Sequence, residues 1–503
     1  MANIILEQQP KYNPFPVAQE TIFAVSENAI VASETRVKFN AYVYVNWDKS
    51  ALGTADTLVA TLKTTPNNAG VGMFDLRPVL ESFVNSDNVP NWSTNLTYSS
   101  IPGWNTGAPK FKTTQYNNIK QFPVHLIDQY SWGANTISWL KIKFKIEYLG
   151  ADASFPNIVS EDADFLFTGS YLFYNGYLSR QDALTSSTYS NNFGWNLESA
   201  GFDFGGSTIN YIQNSPTSRF LTNCPSDLYA RISDYGTIAM FNTMDRSFTT
   251  GAPQSGTCRV DYIEVKMYNS SGAQIGSTFE VGNISFNGGY HNIEPYAPTK
   301  YLFAGVFPAN LRGWSTDFQG QTANIDYYTV QAFGANHTAI TKIYNIHIIC
   351  DNSFGYEGIR LAWLNKFGAW DYYTFNQKSV RSISTKKEQY TQLAGSWNEA
   401  VYRPHGYKGG RKNFRVNAKE SIKLNTDYLN DVESIWMEEL LNSPEVYIIN
   451  EYSSDDSGGI INKYVEPVLL TTSSFTRKTK ANDKLIQYTI DVERTTDLRT
   501  QSV

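Results

Sequence analysis

The sequence predicts a mainly β protein: tandem antiparallel β-sandwich-like domains followed by a C-terminal α+β domain. Apolar and polar residues alternate with a period of two, turn-forming clusters of Gly, Pro, Asn and Ser separate short apolar runs, and a single amphipathic helical pattern stands near the C-terminus. The length of 503 residues is enough for several separate cores. We expect a β-sandwich at residues 1–150, a β-rich insertion-like domain at 151–298, an Ig-like β-sandwich at 299–410 and an α+β oligomerisation domain at 411–503.

The first domain is assigned from two alternating runs, one further short strand and one short helix. Residues 37–45 and 140–146 alternate apolar with polar side chains, which is typical of strands with one buried face. Residues 58–62 are expected to form another short strand, which the turn-forming cluster at 66–70 ends. Asp75 is expected to cap a short helix with Pro78 in its first turn. The apolar stripe of that helix would consist of Val79, Leu80 and Phe83.

The second and third domains are expected to contain less regular strands joined by long Ser-, Gly- and Asn-rich loops. Strands are predicted in the second domain at 165–168, 238–241 and 260–267. Strands are predicted in the third domain at 327–333, 343–350, 359–364 and 372–375. Long ordered loops are usually recognition or contact surfaces.

The last ninety residues change character. Asn430 followed by Glu433 resembles a capping box, and Asn442 to Pro444 would end the helix. Strands should follow at 446–449, 464–471 and 484–492, so that one helix packs on an antiparallel sheet.

Composition excludes two classes of protein. The net charge of −6 is small for this length, so the chain lacks the basic excess of an electrostatic nucleic-acid binder and the high charge of a disordered one. No apolar run approaches the roughly 20 residues that cross a bilayer, so no membrane insertion is expected. The N-terminus has no basic stretch ahead of its apolar triplet and does not predict a signal peptide. Three widely spaced cysteines are expected to be buried thiols, which fits synthesis in a reducing cytoplasm; they are Cys224, Cys258 and Cys350.

No motif predicts catalysis, a metal site or a cofactor, so we expect a non-enzymatic protein with no site residues of these kinds. The five histidines never stand at a metal-ligand spacing, and His347 is expected to be a hydrogen-bonded residue of a strand rather than the partner of a catalytic cysteine. Paired carboxylates for glycoside hydrolysis remain open, with four candidates that nothing singles out: Glu147, Glu161, Asp162 and Asp203.

Two loops have features of ligand sites. Residues 406–412 (GYKGGRK) lack the spacing of a phosphate-binding loop, and we expect a flexible basic loop whose Lys408, Arg411 and Lys412, with Arg415 nearby, could contact an acidic neighbour or nucleic acid. Residues 455–459 (DDSGG) lack the ligand pattern of a calcium loop and are expected to form a solvated hairpin tip. Loop tryptophans could stack on sugars, the candidates being Trp92, Trp104, Trp132 and Trp195.

Three stretches resemble tail-associated virion proteins of phages that infect Bacteroidota, including crAss-like phages and related prophages. They are RLAWLNKFGAWDYYTF at 360–375, TLVATLKTTPNNAGVGMFDLRPVLESFV at 57–84, and LNTDYLNDVESIWMEELLNSPEVYII at 424–449 with PVLLTTSSFTRKTKANDKLIQYTIDVE at 467–493. The resemblance covers the first and last thirds of the chain better than residues 151–300. It implies a virion component of the tail, repeated around the tail axis, and implies no catalytic residue.

The function expected from this resemblance is structural. The chain would form a ring, adaptor, hub or baseplate layer, assemble as a symmetric oligomer of six or twelve copies and scaffold other tail proteins, with DNA passing through the lumen of a ring. A neutral, Tyr- and amide-rich surface suits such permanent contacts. Trp363, Trp370 and Trp436 are expected to support domain cores rather than interfaces. The alternative is a tail protein that binds a receptor or glycan.

Overall fold

The computed structural model divides the chain into two compact units. The first unit comprises Met1–Ile349 with Leu364–Asp371, and the second comprises Cys350–Trp363 with Tyr372–Val503. The division into four domains stays a prediction. The residues that the structure describes are 3–88, 123–127, 130–133, 135–179, 182, 197, 200–202, 208–242, 260, 262–281, 285–286, 289–290, 300–313, 315–334, 337–349, 355–449, 465–472, 486–496 and 498–499.

Strands dominate the described part of both units, which confirms the mainly β fold. The first thirteen strands are β1 Ile5–Gln8, β2 Phe15–Pro16, β3 Ile22–Ser26, β4 Lys38–Asn46, β5 Leu58–Thr64, β6 Val71–Asp75, β7 Tyr130–Trp132, β8 Ile137–Leu149, β9 Val159–Glu161, β10 Leu166–Phe167, β11 Tyr171–Tyr174, β12 Ala200–Phe202 and β13 Thr208–Ile209. The next ten are β14 Asp227–Arg231, β15 Thr237–Asn242, β16 Tyr262–Tyr268, β17 Gln274–Val281, β18 Ser285–Phe286, β19 Gly289–Tyr290, β20 Lys300–Gly305, β21 Tyr327–Gly334, β22 Thr338–Ala339 and β23 Tyr344–Ile349. The last seven are β24 Ile359–Leu364, β25 Trp370–Phe375, β26 Val380–Gln392, β27 Gly410–Asn425, β28 Val446–Ile449, β29 Val465–Leu470 and β30 Thr489–Arg494. The α-helices are α1 Asn28–Ser33, α2 Arg77–Leu80, α3 Pro308–Arg312, α4 Thr316–Gln321 and α5 Asp431–Asn442.

The sheets of the first unit are mostly antiparallel. Their strand orders are β1-β3-β6, β2-β11-β8-β4-β5 with β9 and β10 on β8, β14-β23-β21-β16-β17 with β22 on β21, β15-β20-β7, β12-β13 and β18-β19. Two pairings, β2 with β11 and β14 with β23, are parallel. Within the described residues, no helix is both long and apolar enough to cross a bilayer.

The first two sheets pack face to face, which confirms the predicted β-sandwich architecture. Phe144 of β8 lies between Phe23 of β3 and Phe74 of β6, with ring centroids 6.5 and 5.6 Å apart. The alternation along β4 and β8 points one set of side chains into this core, where Phe39, Ile142 and Phe144 are fully buried. The apolar half of the alternating pattern forms this core, and Asn40 of the other half of β4 is buried as well.

The short helix after β6 begins one residue later than the sequence predicts. Leu76 occupies the N-cap position of α2, whereas Asp75 accepts a hydrogen bond from the backbone N–H of Arg77 at 3.0 Å. Only Leu80 of the predicted stripe is buried, and Phe83 is exposed. Asp75 also ends β6, where it pairs with Ile22, so its backbone belongs to the strand rather than to the helix.

The second unit contains one seven-stranded sheet in the order β25-β24-β28-β29-β30-β27-β26, together with α5. Helix α5 begins with the predicted capping box: Asn430 accepts from the N–H of Glu433, and the Glu433 side chain accepts from the N–H of Asn430, both at 2.8 Å. Trp436 packs on Trp363 of β24 with ring centroids 5.1 Å apart. This confirms the α+β arrangement of one helix on an antiparallel sheet. Most of β26 and most of β27 extend beyond the other strands, because β27 pairs with β30 only from Ser421 to Asn425.

Candidate functional site

Two of the four candidate carboxylates come together on the sheet of β4 and β8. The side-chain nitrogen of Asn40 donates to Glu147 at 2.9 Å and to Glu161 at 2.6 Å. Lys63 pairs with Glu147, and Lys145 Nζ lies 3.1 Å from Glu161. Asp162 instead accepts from the hydroxyl of Tyr148 at 3.0 Å, and Asp203 lies outside the described residues.

The electrostatics of this carboxylate pair do not fit acid catalysis. Burial alone would raise the pKa of Glu161, but hydrogen bonds from Tyr42, Asn40 and Lys145 outweigh burial and hold that pKa below its usual value. Burial opposes hydrogen bonds from Lys63 and Asn40 in the same way at Glu147, whose pKa is also lowered. Glycoside hydrolysis needs one carboxyl that stays protonated near neutral pH. Both carboxylates are therefore ionised, and their ion pairs with lysines stabilise the pairing of neighbouring strands.

Cys224 and His347 have the contacts of residues that pack within the fold. Cys224 is a buried thiol outside any disulfide, and burial raises its pKa to about 12, whereas Cys258 and Cys350 lie outside the described residues. His347 is a residue of β23, as predicted, and its ring stacks on Tyr229 with centroids 5.3 Å apart. Its Nε2 lies 3.5 Å from Asp227. Across the described part of the chain, no group of three or more His, Cys, Asp or Glu side chains could hold a metal ion.

The three tryptophans that were expected to support cores are buried. Trp363 and Trp436 pack on each other in the second unit. The indole of Trp370 donates to the carbonyl of Asp87 at 2.9 Å and meets the ring of His125 edge to face at 4.8 Å, all within the first unit. Of the glycan-stacking candidates, Trp92, Trp104 and Trp195 lie outside the described residues, as do residues 455–459; Trp132 belongs to β7, but its side chain is not described.

The predicted basic loop at 406–412 is partly a strand, which corrects the sequence interpretation. Gly410, Arg411 and Lys412 begin β27 and pair with Gln392, Thr391 and Tyr390 of β26. We call residues 384–416 the arm: two antiparallel strands and the connection between them, residues 393–409, which we call the tip. Eight residue steps from Ser384 to Gln392 extend about 26 Å at the usual strand rise.

The arm is a two-stranded ribbon with both faces exposed. All of β26 except its last residue is exposed, as is β27 from Gly410 to Val416. β26 is the edge strand of its sheet, and β27 pairs with β30 only from Ser421 onward. An isolated two-stranded ribbon is at best marginally stable in water, so a cover on the arm would stabilise it.

The tip has its own hydrogen bonds and presents large apolar side chains to solvent. The N–H of His405 donates to the carbonyl of Ala394 at 2.8 Å, and Gly395 forms a bridge with Pro404. Trp397 is 84% exposed and Tyr407 is 75% exposed. The other exposed large apolar residues of the tip are Leu393, Val401 and Tyr402. Clusters of exposed apolar side chains usually mark interaction sites.

A network of charges holds the base of the arm. Arg381 contacts Glu420 at 3.0 Å and Glu357 at 2.7 Å. Arg494 contacts the other oxygen of Glu420 at 3.0 Å and lies 3.4 Å from Glu466. Burial would lower the pKa of Arg381, but hydrogen bonds to both carboxylates raise it. Networks of this kind are stronger than isolated surface pairs, so the direction in which the arm leaves the sheet is constrained.

The arm also carries a positive charge. Residues 384–416 contain seven Lys or Arg against two Glu, a net charge of +5, within a chain whose total is −6. The remaining residues therefore carry −11. The positive charge was visible in the sequence as the basic residues 408–415. The ribbon could not be predicted, because a strand exposed on both faces shows no apolar alternation.

Comparison with models of known protein families gives no match, and no curated protein is significantly similar to this chain.

Proposed function

We propose that this chain is a structural protein of a bacteriophage tail, which assembles as a symmetric oligomer and scaffolds neighbouring tail proteins. The observation that carries the proposal is the exposed arm. A scaffolding subunit needs an element that reaches beyond its own core, and large apolar side chains at the end of that element suit a permanent contact. The proposed location in the tail rests on the resemblance to tail-associated proteins at residues 57–84, 360–375 and 424–493.

The carboxylate cluster supports the same proposal indirectly. Glu147 and Glu161 are paired with lysines and hold strands β4, β5, β8 and β9 together. The two candidate carboxylates that the fold brings together therefore stabilise the sheet.

The assembly part of the proposal is tested by the mass of the purified chain in solution. Light scattering over about a hundredfold range of concentration should give one discrete mass at six or twelve times 56.7 kDa. A trimer would favour the receptor-binding alternative, since trimers suit fibres. A monomer at every concentration would contradict self-assembly.

The tail part is tested on virions. Gold-labelled antibodies against this chain should mark the tail of phage particles released from the bacterium that encodes it. Label on the capsid alone, or on no particle, would contradict a tail location.

A further inference from the structure

The region that follows the arm in sequence has the opposite charge. Residues 426–449 contain six Asp or Glu and no Lys or Arg. Two of the carboxylates, Asp427 and Asp431, are exposed beside the N-terminus of α5, and two apolar side chains, Tyr428 and Val432, are exposed with them. Burial raises the pKa of Glu433, the hydrogen bond from the backbone of Asn430 opposes this rise, and the nearby charge of Asp427 adds to it. Exposed apolar groups and carboxylates are the chemical complement of a basic, aromatic arm.

The arm does not use this surface within its own chain. Its strands and the five large apolar side chains of its tip remain exposed in the single chain. The charge network at Arg381 fixes the base of the arm in the same sheet. A second copy can present the same acidic surface without changing either element.

We propose that the arm of one copy docks on the acidic surface of α5, around Asp427 to Val432, in a second copy of this chain. The inference rests on the proposed function and names the contact that performs it. The two surfaces differ, so the contact is head-to-tail, and a contact of this kind forms a ring when its repeated rotation completes a full turn.

The size and charge of the arm suit a stable contact. Full burial of its aromatic tip residues Trp397, Tyr402 and Tyr407 would remove up to about 450–750 Å² from water. A standard interface buries about 800 Å² on each partner. Lysines on an edge strand oppose uncontrolled strand pairing, and Lys386 and Lys387 stand on β26, so side chains rather than an added strand make this contact.

A charge exchange within one chain tests the contact. The arm variant Lys387→Glu with Lys412→Glu, and the helix variant Asp427→Lys with Asp431→Lys, should each shift the wild-type oligomer toward monomer at least tenfold in dissociation constant. The chain that carries all four changes should recover assembly, because the charges are complementary again. The matched control is Lys11→Glu with Lys378→Glu, at two exposed lysines outside the arm, which should assemble as wild type does.

Cross-linking provides a second readout that does not depend on folding of the variants. A zero-length carbodiimide reagent applied to a mixture of isotopically light and heavy wild-type chains should join arm lysines to Asp427 or Asp431 in mixed-isotope pairs. If the wild-type chain is oligomeric but neither charge variant changes its mass, the arm inference fails and the proposed function stands. If the wild-type chain is monomeric, both fail.

Discussion

Truncation of Trp370 to alanine is expected to destabilise the first unit by about 4–7 kcal/mol. The ring is 2% exposed, and removing a buried Trp side chain usually costs about 3–5 kcal/mol. The hydrogen bond to the carbonyl of Asp87, at 2.9 Å, adds about 1 kcal/mol. The edge-to-face contact with His125, at 4.8 Å, adds a similar amount at most.

The matched control is the same substitution at Trp397, which is 84% exposed on the tip of the arm. Its loss should change the free energy of unfolding by no more than about 0.5 kcal/mol. If the Trp397 side chain is an interface hot spot, its loss should weaken assembly by about 2 kcal/mol, or roughly thirtyfold in dissociation constant.

Urea unfolding followed by far-ultraviolet circular dichroism measures the first quantity, and sedimentation velocity measures the second. The reasoning predicts that Trp370→Ala lowers the unfolding midpoint and that Trp397→Ala lowers only the mass. An unchanged midpoint with lost assembly for Trp370→Ala would place that ring at an interface and refute its role in the core.

Three further substitutions test local physics. Gly368→Ala should lower the free energy of unfolding by more than about 2 kcal/mol, because φ is +74° and the added Cβ would lie 2.1 Å from a backbone oxygen. Gly355→Ala, at φ +70° in open space, should lower it by only about 1 kcal/mol. Equal urea midpoints for the two variants would contradict this difference. Asn430→Ala should destabilise the second unit by about 1 kcal/mol through loss of the cap, whereas Asn430→Ser should retain most of it in calorimetry. Glu161→Gln should lower stability at neutral pH and flatten the acid dependence of the urea midpoint below about pH 5. The lowered pKa of Glu161 stabilises the fold above the unfolded pKa, and this contribution is lost as pH falls through the folded pKa. An acid dependence as steep as that of wild type would show that the charge of Glu161 does not contribute.

Sequence reasoning succeeded where one local rule determines the structure. One face of β4 lies in the core, so apolar residues occupy every second position from Phe39 to Val45, and this alternation is visible in the sequence. The capping box of α5 joins residues three apart, Asn430 and Glu433, so the chain itself brings the two groups together.

The rest depends on contacts that local rules do not contain. Asn40 meets Glu147 and Glu161 only because β8 pairs with both β4 and β9, and this register joins residues more than a hundred positions apart. The arm is missed for a different reason: neither face is buried within the chain, so burial leaves no periodic pattern from Ser384 to Val416. If the arm docks on a second copy, the surface of that copy determines which residue types the arm carries.

Electron microscopy of the purified full-length chain in negative stain tests the central claim most directly. The account predicts closed rings with a fixed number of subunits and a central opening, and it predicts that Trp397→Ala with Tyr407→Ala disperses them while each subunit stays folded. Isolated single subunits, or rings that persist without these two side chains, would contradict assembly through the arm, and open filaments of variable length would contradict a closed ring.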